Sequence, residues 1–199
     1  MRNVSAIPTR YNGNDFASRL EARWAVFWDY LNVRYHYEPL GYRRFPDFFL
    51  PDLQMWVEIK PNLRILDEDE RESALDRCLK LAINRNQRVL FYDGEVINPG
   101  ASTEGIFSDV SIVFMPVQLS VHNFDAQHFD NVCWHICNNC GWVDLGNGRL
   151  AGLEYMVAPI GRQCTACQQG TLVAYGEHSS NQYLQRLDQA YETAINYRF

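Results

Sequence analysis

The chain has 199 residues, of which 47% are hydrophobic and 21% are charged, and its formal net charge is −6. This length supports one substantial core with a small addition, and the composition is that of a folded globular protein, which excludes a disordered chain. No segment approaches the ~20 apolar residues of a membrane span, and the first residues contain no apolar run of signal-peptide length. We therefore expect a cytoplasmic protein with no membrane partner.

The negative charge is unevenly distributed. Residues 1–60 hold eight basic and seven acidic residues, whereas residues 96–199 hold four basic and nine acidic ones. A negative charge argues mildly against nucleic-acid binding, since affinity for phosphate comes mainly from Lys and Arg. Because the excess lies in the C-terminal half, selective and modest binding through the N-terminal part is compatible with the composition.

The first predicted helix has its N-cap at Asn14 or Asp15 and runs to about Leu31. Glu21 lies near the edge of the helix's apolar stripe, so we expect it on the border between core and solvent. The stripe has helical spacing and consists of Phe16, Leu20, Trp24, Phe27 and Leu31.

A pair of carboxylates and a lysine follow on two short predicted strands. Asp47 lies in Phe45-Pro46-Asp47-Phe48, and ten residues separate it from Glu58. Side chains two positions apart on a strand share a face, so Glu58 and Lys60 point the same way, opposite the apolar residues of Met55–Lys60. Metal-assisted phosphodiester cleavage requires such carboxylates for Mg²⁺ and a lysine beside the attacking water. The alternative is a solvated strand face with an ordinary ion pair.

In this order the residues resemble the PD-(D/E)XK nuclease superfamily, whose pattern here is Pro46-Asp47, ten residues, then Glu58-x-Lys60. Over about residues 12–95 the chain is similar to phage endonuclease I junction resolvases and to transposon-end nuclease subunits. The resemblance implies a restriction-endonuclease-like α/β core, a mixed sheet flanked by helices. It also implies a DNA endonuclease that depends on Mg²⁺ or Mn²⁺, with branched or junction DNA among its candidate substrates, in a bacterial cell or phage-infected host.

The resemblance also implies roles for the site residues. Asp47 and Glu58 bind the catalytic metal, and Lys60 orients the attacking water. Glu21 completes the metal shell, directly or through water. The alternative function is a non-catalytic protein, either a DNA-binding module with a nuclease fold or a zinc-ribbon adaptor in a recombination, defence or phage assembly complex. Intact Asp47, Glu58 and Lys60 favour the enzyme, because a binding module needs no paired metal carboxylates.

Four arginines near the motif are the predicted DNA contacts. Arg19 and Arg23 lie on the first helix, and Arg43 and Arg44 precede Asp47. The alternative for the two helical arginines is that they only cover the helix surface.

Two further elements complete the predicted core. A second helix runs from Leu66 to about Asn84, and its acidic opening, Asp67–Glu70, suits a helix N-terminus. A strand follows at Gln87–Tyr92, and Ser111–Met115 adds another. This order of helix, strands, helix and strand predicts an α/β layered fold. The buried face of the second helix is predicted to consist of Leu75, Cys78, Leu79 and Ala82.

Two C-x₂-C pairs form the second chemical motif, Cys137 with Cys140 and Cys164 with Cys167, with 23 residues between the pairs. Two such pairs complete a tetrahedral zinc site, and four thiolates leave no position for water, so the zinc is structural. Disulfides are disfavoured in a cytosolic chain. Cys133 and His135 lie close enough in sequence to be alternative ligands.

We predict three parts: a nuclease core at 1–118, a Cys₄ zinc ribbon at 119–172, and a C-terminal helix within 173–199. The helix follows Ser179-Ser180-Asn181 and packs on the core or on a partner. Its predicted apolar side consists of Leu184, Leu187, Tyr191 and Ala194. The sequence leaves a homodimer and a nicking monomer both open.

Overall fold

The structure is a computed structural model that describes residues 6–40, 45–60, 68–94, 96, 111–120, 123–130, 132–147, 163–173 and 182–199. Within these ranges no helix is long and apolar enough to cross a membrane. The helices of the described chain are α1 (Arg19–Leu31), α2 (Glu68–Arg85) and α3 (Gln182–Asn196).

The main sheet is mixed, so the fold is α/β as the sequence predicts. An antiparallel hairpin of β1 (Thr9–Tyr11) and β2 (Asn14–Phe16) precedes it. The described sheet has six strands, which follow one another from edge to edge in chain order: β3 (His36–Tyr37), β4 (Phe48–Leu50), β5 (Met55–Lys60), β6 (Arg88–Asp93), β7 (Ser111–Ser120) and β8 (Asn123–Asp130). β5 and β6 are parallel, with α2 between them in the chain, and the other neighbouring pairs are antiparallel.

A smaller antiparallel sheet carries the cysteine pairs. Its strands are β9 (Val132–Cys137) in the centre, with β10 (Val143–Asn147) and β11 (Leu172–Val173) on either side. β8 lies within the range predicted as the zinc ribbon, yet it pairs with β7 and so extends the main sheet.

The first helix begins later than the sequence analysis predicts. Residues 14–16 form β2, because the chain turns back at Asn12 and Gly13, which both have positive φ angles. Ser18 is the N-cap, and its Oγ accepts a hydrogen bond of 3.1 Å from the backbone N–H of Glu21. Ser followed three residues later by Glu is the sequence pattern of a capping box, the signal that the prediction overlooked.

Strand β5 separates two layers of the core, because its side chains alternate between the faces of the sheet. Met55, Val57 and Ile59 pack in a cluster with α1, as their spacing predicts. Trp56 packs on the opposite side in a cluster with Cys78 of α2. By the same alternation, Glu58 and Lys60 belong to the α2 side.

The layer that contains α1 also includes the smaller sheet and α3. Trp134 of β9 and Val143 of β10 belong to the same buried cluster as α1. α3 packs against α1 and β9. The buried residues of α3 include all four of its predicted apolar positions, Leu184, Leu187, Tyr191 and Ala194.

An ion pair links the main sheet to the smaller one. Arg88 at the start of β6 donates from Nη1 to Asp144 Oδ1 of β10 at 2.8 Å, and from Nη2 to the Leu53 carbonyl oxygen at 2.8 Å. The same Asp144 oxygen accepts from the Leu145 backbone N–H at 2.8 Å. The side chains of Arg88 and Asp144 are only 23% and 9% exposed, so solvent screens this pair weakly.

This ion pair generates a stability prediction. Asp144→Ala leaves the largely buried Arg88 charge unpaired, and we expect it to lower the free energy of unfolding by about 3 kcal/mol. Asp52→Ala is the matched control, because it removes the partner of Arg34, whose side chain is 74% exposed. The control should cost less than about 1 kcal/mol. Urea unfolding of both variants measures the difference, and equal losses would contradict the prediction.

Candidate functional site

A buried ion pair lies at the C-terminal end of β5. The Glu58 side chain is 0% exposed, and Lys60 Nζ lies 2.5 Å from Glu58 Oε1. The backbone of Asp47 also donates toward the Glu58 carboxylate and lowers its pKa. The Lys60 side chain is 25% exposed, so it connects the buried carboxylate to the surface.

Asp47 is placed beside this pair by the backbone around β4. Its carbonyl oxygen accepts from the Glu38 N–H at 2.8 Å, and its carboxylate Oδ2 accepts from the Ile59 N–H at 2.7 Å. The second bond ties Asp47 to the residue between Glu58 and Lys60. Asp47 is therefore a buried carboxylate that adjoins the Glu58–Lys60 pair, as the ten-residue spacing predicts.

Glu21 is buried at the first turn of α1 and is fixed by two hydroxyl groups. Ser18 Oγ donates to Glu21 Oε1 at 2.7 Å, and the Tyr37 hydroxyl donates to Oε2 at 2.6 Å. The Tyr37 oxygen in turn accepts from the Ala17 N–H at 2.8 Å. Burial and the bond to Glu21 raise the pKa of Tyr37, so its hydroxyl stays protonated and donates. The sequence analysis missed Tyr37, because only the folded chain brings β3 to this helix end.

The acidic groups repel one another across a poorly solvated space. Burial raises the pKa of Asp47 well above its ordinary value, and the nearby charges of Glu58 and Glu21 raise it further. Burial also raises the pKa of Glu58, against the opposing effect of Lys60. For Lys60, burial lowers the pKa, but the attraction of Glu58 and Asp47 outweighs it and the net pKa is raised. Lys60 is therefore an ammonium group at neutral pH.

Asp47 and Glu58 have the chemistry of ligands for a small divalent cation. Carboxylate oxygens are what Mg²⁺ and Mn²⁺ prefer, and both of these carboxylates are buried, Glu58 at 0% and Asp47 at 6% exposed. A cation would also relieve the repulsion that raises the pKa of Asp47. Glu21 fits less directly. Among the described residues, the compact group of three or more potential metal ligands is the cysteine cluster, and Glu21 does not belong to it.

The predicted DNA-contacting arginines differ in their surroundings. Arg19 is exposed, whereas Arg23 is half-buried on the same helix. Arg43 and Arg44 lie outside the described residues. Arg77 of α2 was not singled out by its sequence context, and its guanidinium lies 5.1 Å from the ring centroid of Phe45, two residues before Asp47.

The four predicted cysteines form one compact cluster. Their Sγ atoms all lie within 4.8 Å of one another, with Cys137 and Cys167 at 3.8 Å and Cys140 and Cys164 at 3.7 Å. Tetrahedral zinc with Zn–S bonds of about 2.3 Å separates its sulfur ligands by about 3.8 Å. The spacing therefore fits a tetrahedral metal ion, and the four cysteines can bind a structural metal such as zinc.

The two pairs are held by equivalent turns. In each turn the N–H four residues after the first cysteine donates to that cysteine's carbonyl oxygen, from Gly141 at 3.1 Å and from Gln168 at 2.9 Å. Both donors have positive φ angles, 75° and 56°. Gly170 lies against the cluster, where a Cβ atom would overlap Cys137 Sγ.

The cysteines of the cluster differ in their electrostatics, since burial raises the pKa of Cys140 and of Cys164. The backbone N–H groups of Gln169 and Gly170 lower the pKa of Cys167 to about 6. The described cysteines are free thiols rather than disulfides. The alternative ligand His135 is buried but does not belong to the cluster, and the Cys133 side chain lies outside the described part of the chain.

The two candidate sites lie toward opposite ends of β5. Met55 at its start pairs in register with Arg88, which contacts the smaller sheet, whereas Glu58 and Lys60 are at its end. Five strand residues span about 16 Å. A cleft of about 240 Å³ lies at the cysteine end, lined by residues that include Asp52, Trp142 and Arg186. It contains none of the predicted carboxylate-site residues.

Comparisons of the chain with protein-family models, curated proteins and solved structures give no match. The two clusters, the carboxylate–lysine group and the four cysteines, are thus the features of the chain that indicate a function.

Zinc content tests the cysteine cluster. We expect the purified protein to contain about one zinc per chain, because four thiolates complete the shell of one ion. Cys164→Ser should lose most of this metal, whereas Cys78→Ala, which changes a buried cysteine outside the cluster, should keep it. Elemental analysis of the reduced proteins measures this. Wild-type protein free of metal would contradict the assignment.

The raised pKa of Asp47 predicts a pH dependence of stability. The folded protein binds more protons than the unfolded chain between pH 3.8 and the raised pKa, so it loses stability as the pH rises through that window. Asp47→Asn removes the titrating group and can still accept the Ile59 N–H. We therefore expect the variant to gain stability relative to the wild type as the pH rises, in urea unfolding without added Mg²⁺.

The control for this experiment is Asp15→Asn, because the Asp15 side chain is 85% exposed. It should follow the wild-type pH dependence. If the stability of Asp47→Asn also follows the wild-type pH dependence, the crowding of the carboxylates does not affect stability.

Proposed function

We propose that the protein is a DNA endonuclease of the PD-(D/E)XK type that depends on Mg²⁺ or Mn²⁺. One observation carries the proposal: two buried carboxylates, Asp47 and Glu58, adjoin an ammonium group at the end of one strand, with Lys60 Nζ 2.5 Å from Glu58. The solvated strand face, which was the alternative from sequence, does not account for carboxylates excluded from water.

The order of elements supports a restriction-endonuclease-like core. A helix that carries Glu21 is followed by the antiparallel strands β3, β4 and β5, then by α2, and then by β6 parallel to β5. This is the order of helix, strands, helix and strand that the resemblance implies. Asp47 immediately precedes β4, and Glu58 and Lys60 end β5, as expected for the motif.

The proposed reaction is hydrolysis of a phosphodiester. A water oxygen forms a bond to phosphorus, the bond to one ester oxygen breaks, and the proton lost by water is balanced by protonation of the leaving oxygen. Asp47 and Glu58 would bind the metal ion, which when bound polarises the phosphate and acidifies water. Lys60 stays charged beside Glu58 and stabilises the negative charge that develops on the phosphate.

Glu21 has a more distant role in this proposal. Its two oxygens already accept hydrogen bonds from Ser18 and Tyr37, which fix its orientation. Mg²⁺ usually keeps several of its waters in protein sites. A carboxylate whose oxygens already accept such bonds suits hydrogen bonding to a metal-bound water better than direct binding.

Replacement of Lys60 tests the proposed chemistry. We expect Lys60→Ala to cleave DNA at least ~100-fold more slowly, the scale of a lost electrostatic stabiliser. DNA affinity should change little, because the lysine acts mainly on charge that develops in the transition state. The measurement is nicking of supercoiled plasmid with Mg²⁺ or Mn²⁺, together with equilibrium DNA binding. Lys80→Ala is the matched control, because Lys80 is exposed on α2 and pairs only with Asp76 among the described acidic residues.

The substrate panel for this test is a linear duplex, a single strand and a four-way junction, assayed in parallel with the plasmid. Cleavage by Lys60→Ala at the wild-type rate would remove the lysine from the mechanism. Wild-type protein that binds these DNAs and cuts none of them would favour the non-catalytic alternative.

A further inference from the structure

Arg77 is a second cation close to the carboxylates. It is exposed on α2, and its guanidinium lies over the Phe45 ring, 5.1 Å from the centroid. Phe45 belongs to the segment that leads directly into Asp47. The next residue on the helix, Cys78, is fully buried on the face of the sheet to which Glu58 and Lys60 belong. Arg77 is therefore at the surface on the same side of the sheet as the proposed site.

The charge of Arg77 acts on the site residues. Burial has the largest effect on the pKa of Glu58 and of Lys60, and the charge of Arg77 lowers both pKa values in addition. Within the described part of the chain, no hydrogen bond or ion pair of Arg77 competes with a ligand for its N–H donors. The aromatic ring limits the motion of the guanidinium, which reduces the entropy lost when it binds.

The charge balance points to an anionic ligand. With all groups ionised, three carboxylates (Glu21, Asp47 and Glu58) face two cations (Lys60 and Arg77), and one divalent ion would make the local sum positive. A guanidinium presents a planar fork of donors that matches two oxygens of one phosphate. Lys60 is already committed to Glu58, so Arg77 is the more accessible of the two cations.

We propose that Arg77 binds a backbone phosphate of the DNA next to the phosphate that is cleaved. This inference rests on the proposed function, since it takes DNA as the ligand of the carboxylate site. It assigns substrate binding to the middle of α2, in addition to the predicted arginines of α1.

Arg85 provides a matched comparison on the same helix. Its guanidinium lies 5.6 Å from the ring centroid of Trp56, so it makes the same kind of aromatic contact. It is in the last turn of α2, two turns beyond Arg77, and Trp56 lies near the start of β5. If Arg77 only covers its helix, replacing either arginine should have the same small effect.

The experiment is a salt titration of DNA binding by the full-length protein without added divalent metal. The probe is a fluorescent duplex, repeated with a four-way junction, and binding is followed by anisotropy. Loss of one phosphate contact makes the slope of log affinity against log salt less steep by about 0.9. The loss of affinity between about 50 and about 200 mM salt then becomes about 3-fold smaller. We expect this shallower slope in Arg77→Gln, little change in Arg85→Gln, and a near wild-type slope in Arg77→Lys, which keeps the charge.

The outcomes separate this inference from the proposed function. Wild-type binding without cleavage in Mg²⁺ or Mn²⁺ defeats the proposed nuclease, while the slopes still decide the role of Arg77. An unchanged slope in Arg77→Gln, or equal losses in Arg77→Gln and Arg85→Gln, overturns the inference. A wild-type protein that binds neither DNA in this assay and cuts neither in Mg²⁺ or Mn²⁺ overturns both.

Discussion

The buried carboxylate of Glu58 is the constraint on which the arrangement of the core depends. Removing a carboxylate from water costs several kcal/mol, and a partner cation offsets that cost only when it is close and well placed. Lys60 meets this condition because it is two residues along the same strand and therefore on the same face. Replacing a buried ion pair by apolar residues of similar size often leaves the stability of a protein unchanged or raises it. Stability alone thus gives no reason for the pair, whereas cation and phosphate chemistry does.

The same strand also relates the two candidate sites to each other. β5 begins beside Arg88, which joins the main sheet to the smaller one through Asp144, and it ends at Glu58 and Lys60. The cysteine cluster is thereby held to the core at the end away from the carboxylates. A metal bound by the cysteines would stabilise the smaller sheet and its packing on α1 and α3 without contacting the proposed catalytic groups.

Sequence periodicity predicted those parts of the fold that local rules determine. The alternation of Met55–Lys60, the burial of Cys78 and the apolar face of α3 all follow from side-chain geometry within a single element. The predicted start of α1 was wrong because two other N-cap candidates precede Ser18 in the sequence. The turn at Asn12 and Gly13 instead places residues 14–16 in strand β2.

Contacts between elements were less predictable. The proximity of Asp47 to Glu58 could be inferred from spacing, because adjacent antiparallel strands return side chains to a common edge. The local sequence does not indicate that Tyr37 donates to Glu21 or that Arg77 lies over Phe45. The first contact joins residues 16 positions apart in the chain, and the second joins residues 32 positions apart. Glu21 also proved buried rather than on a border, because β3 covers the side of α1 that helical periodicity alone leaves open.

The two clusters differ in a way that suits different uses of a metal. The four sulfur atoms already lie at the separations of a complete tetrahedral shell, so an ion bound there would have no free position for substrate. The carboxylate group offers two buried carboxylates, and a third acid, Glu21, whose oxygens are already held by Ser18 and Tyr37. Mg²⁺ bound by so few protein ligands usually keeps several waters. Sulfur ligands favour zinc and carboxylates favour magnesium or manganese. Under the proposed function, a chain with both sets would hold a structural ion at the cysteines and exchange a catalytic one at the carboxylates, since the two sites favour different metals.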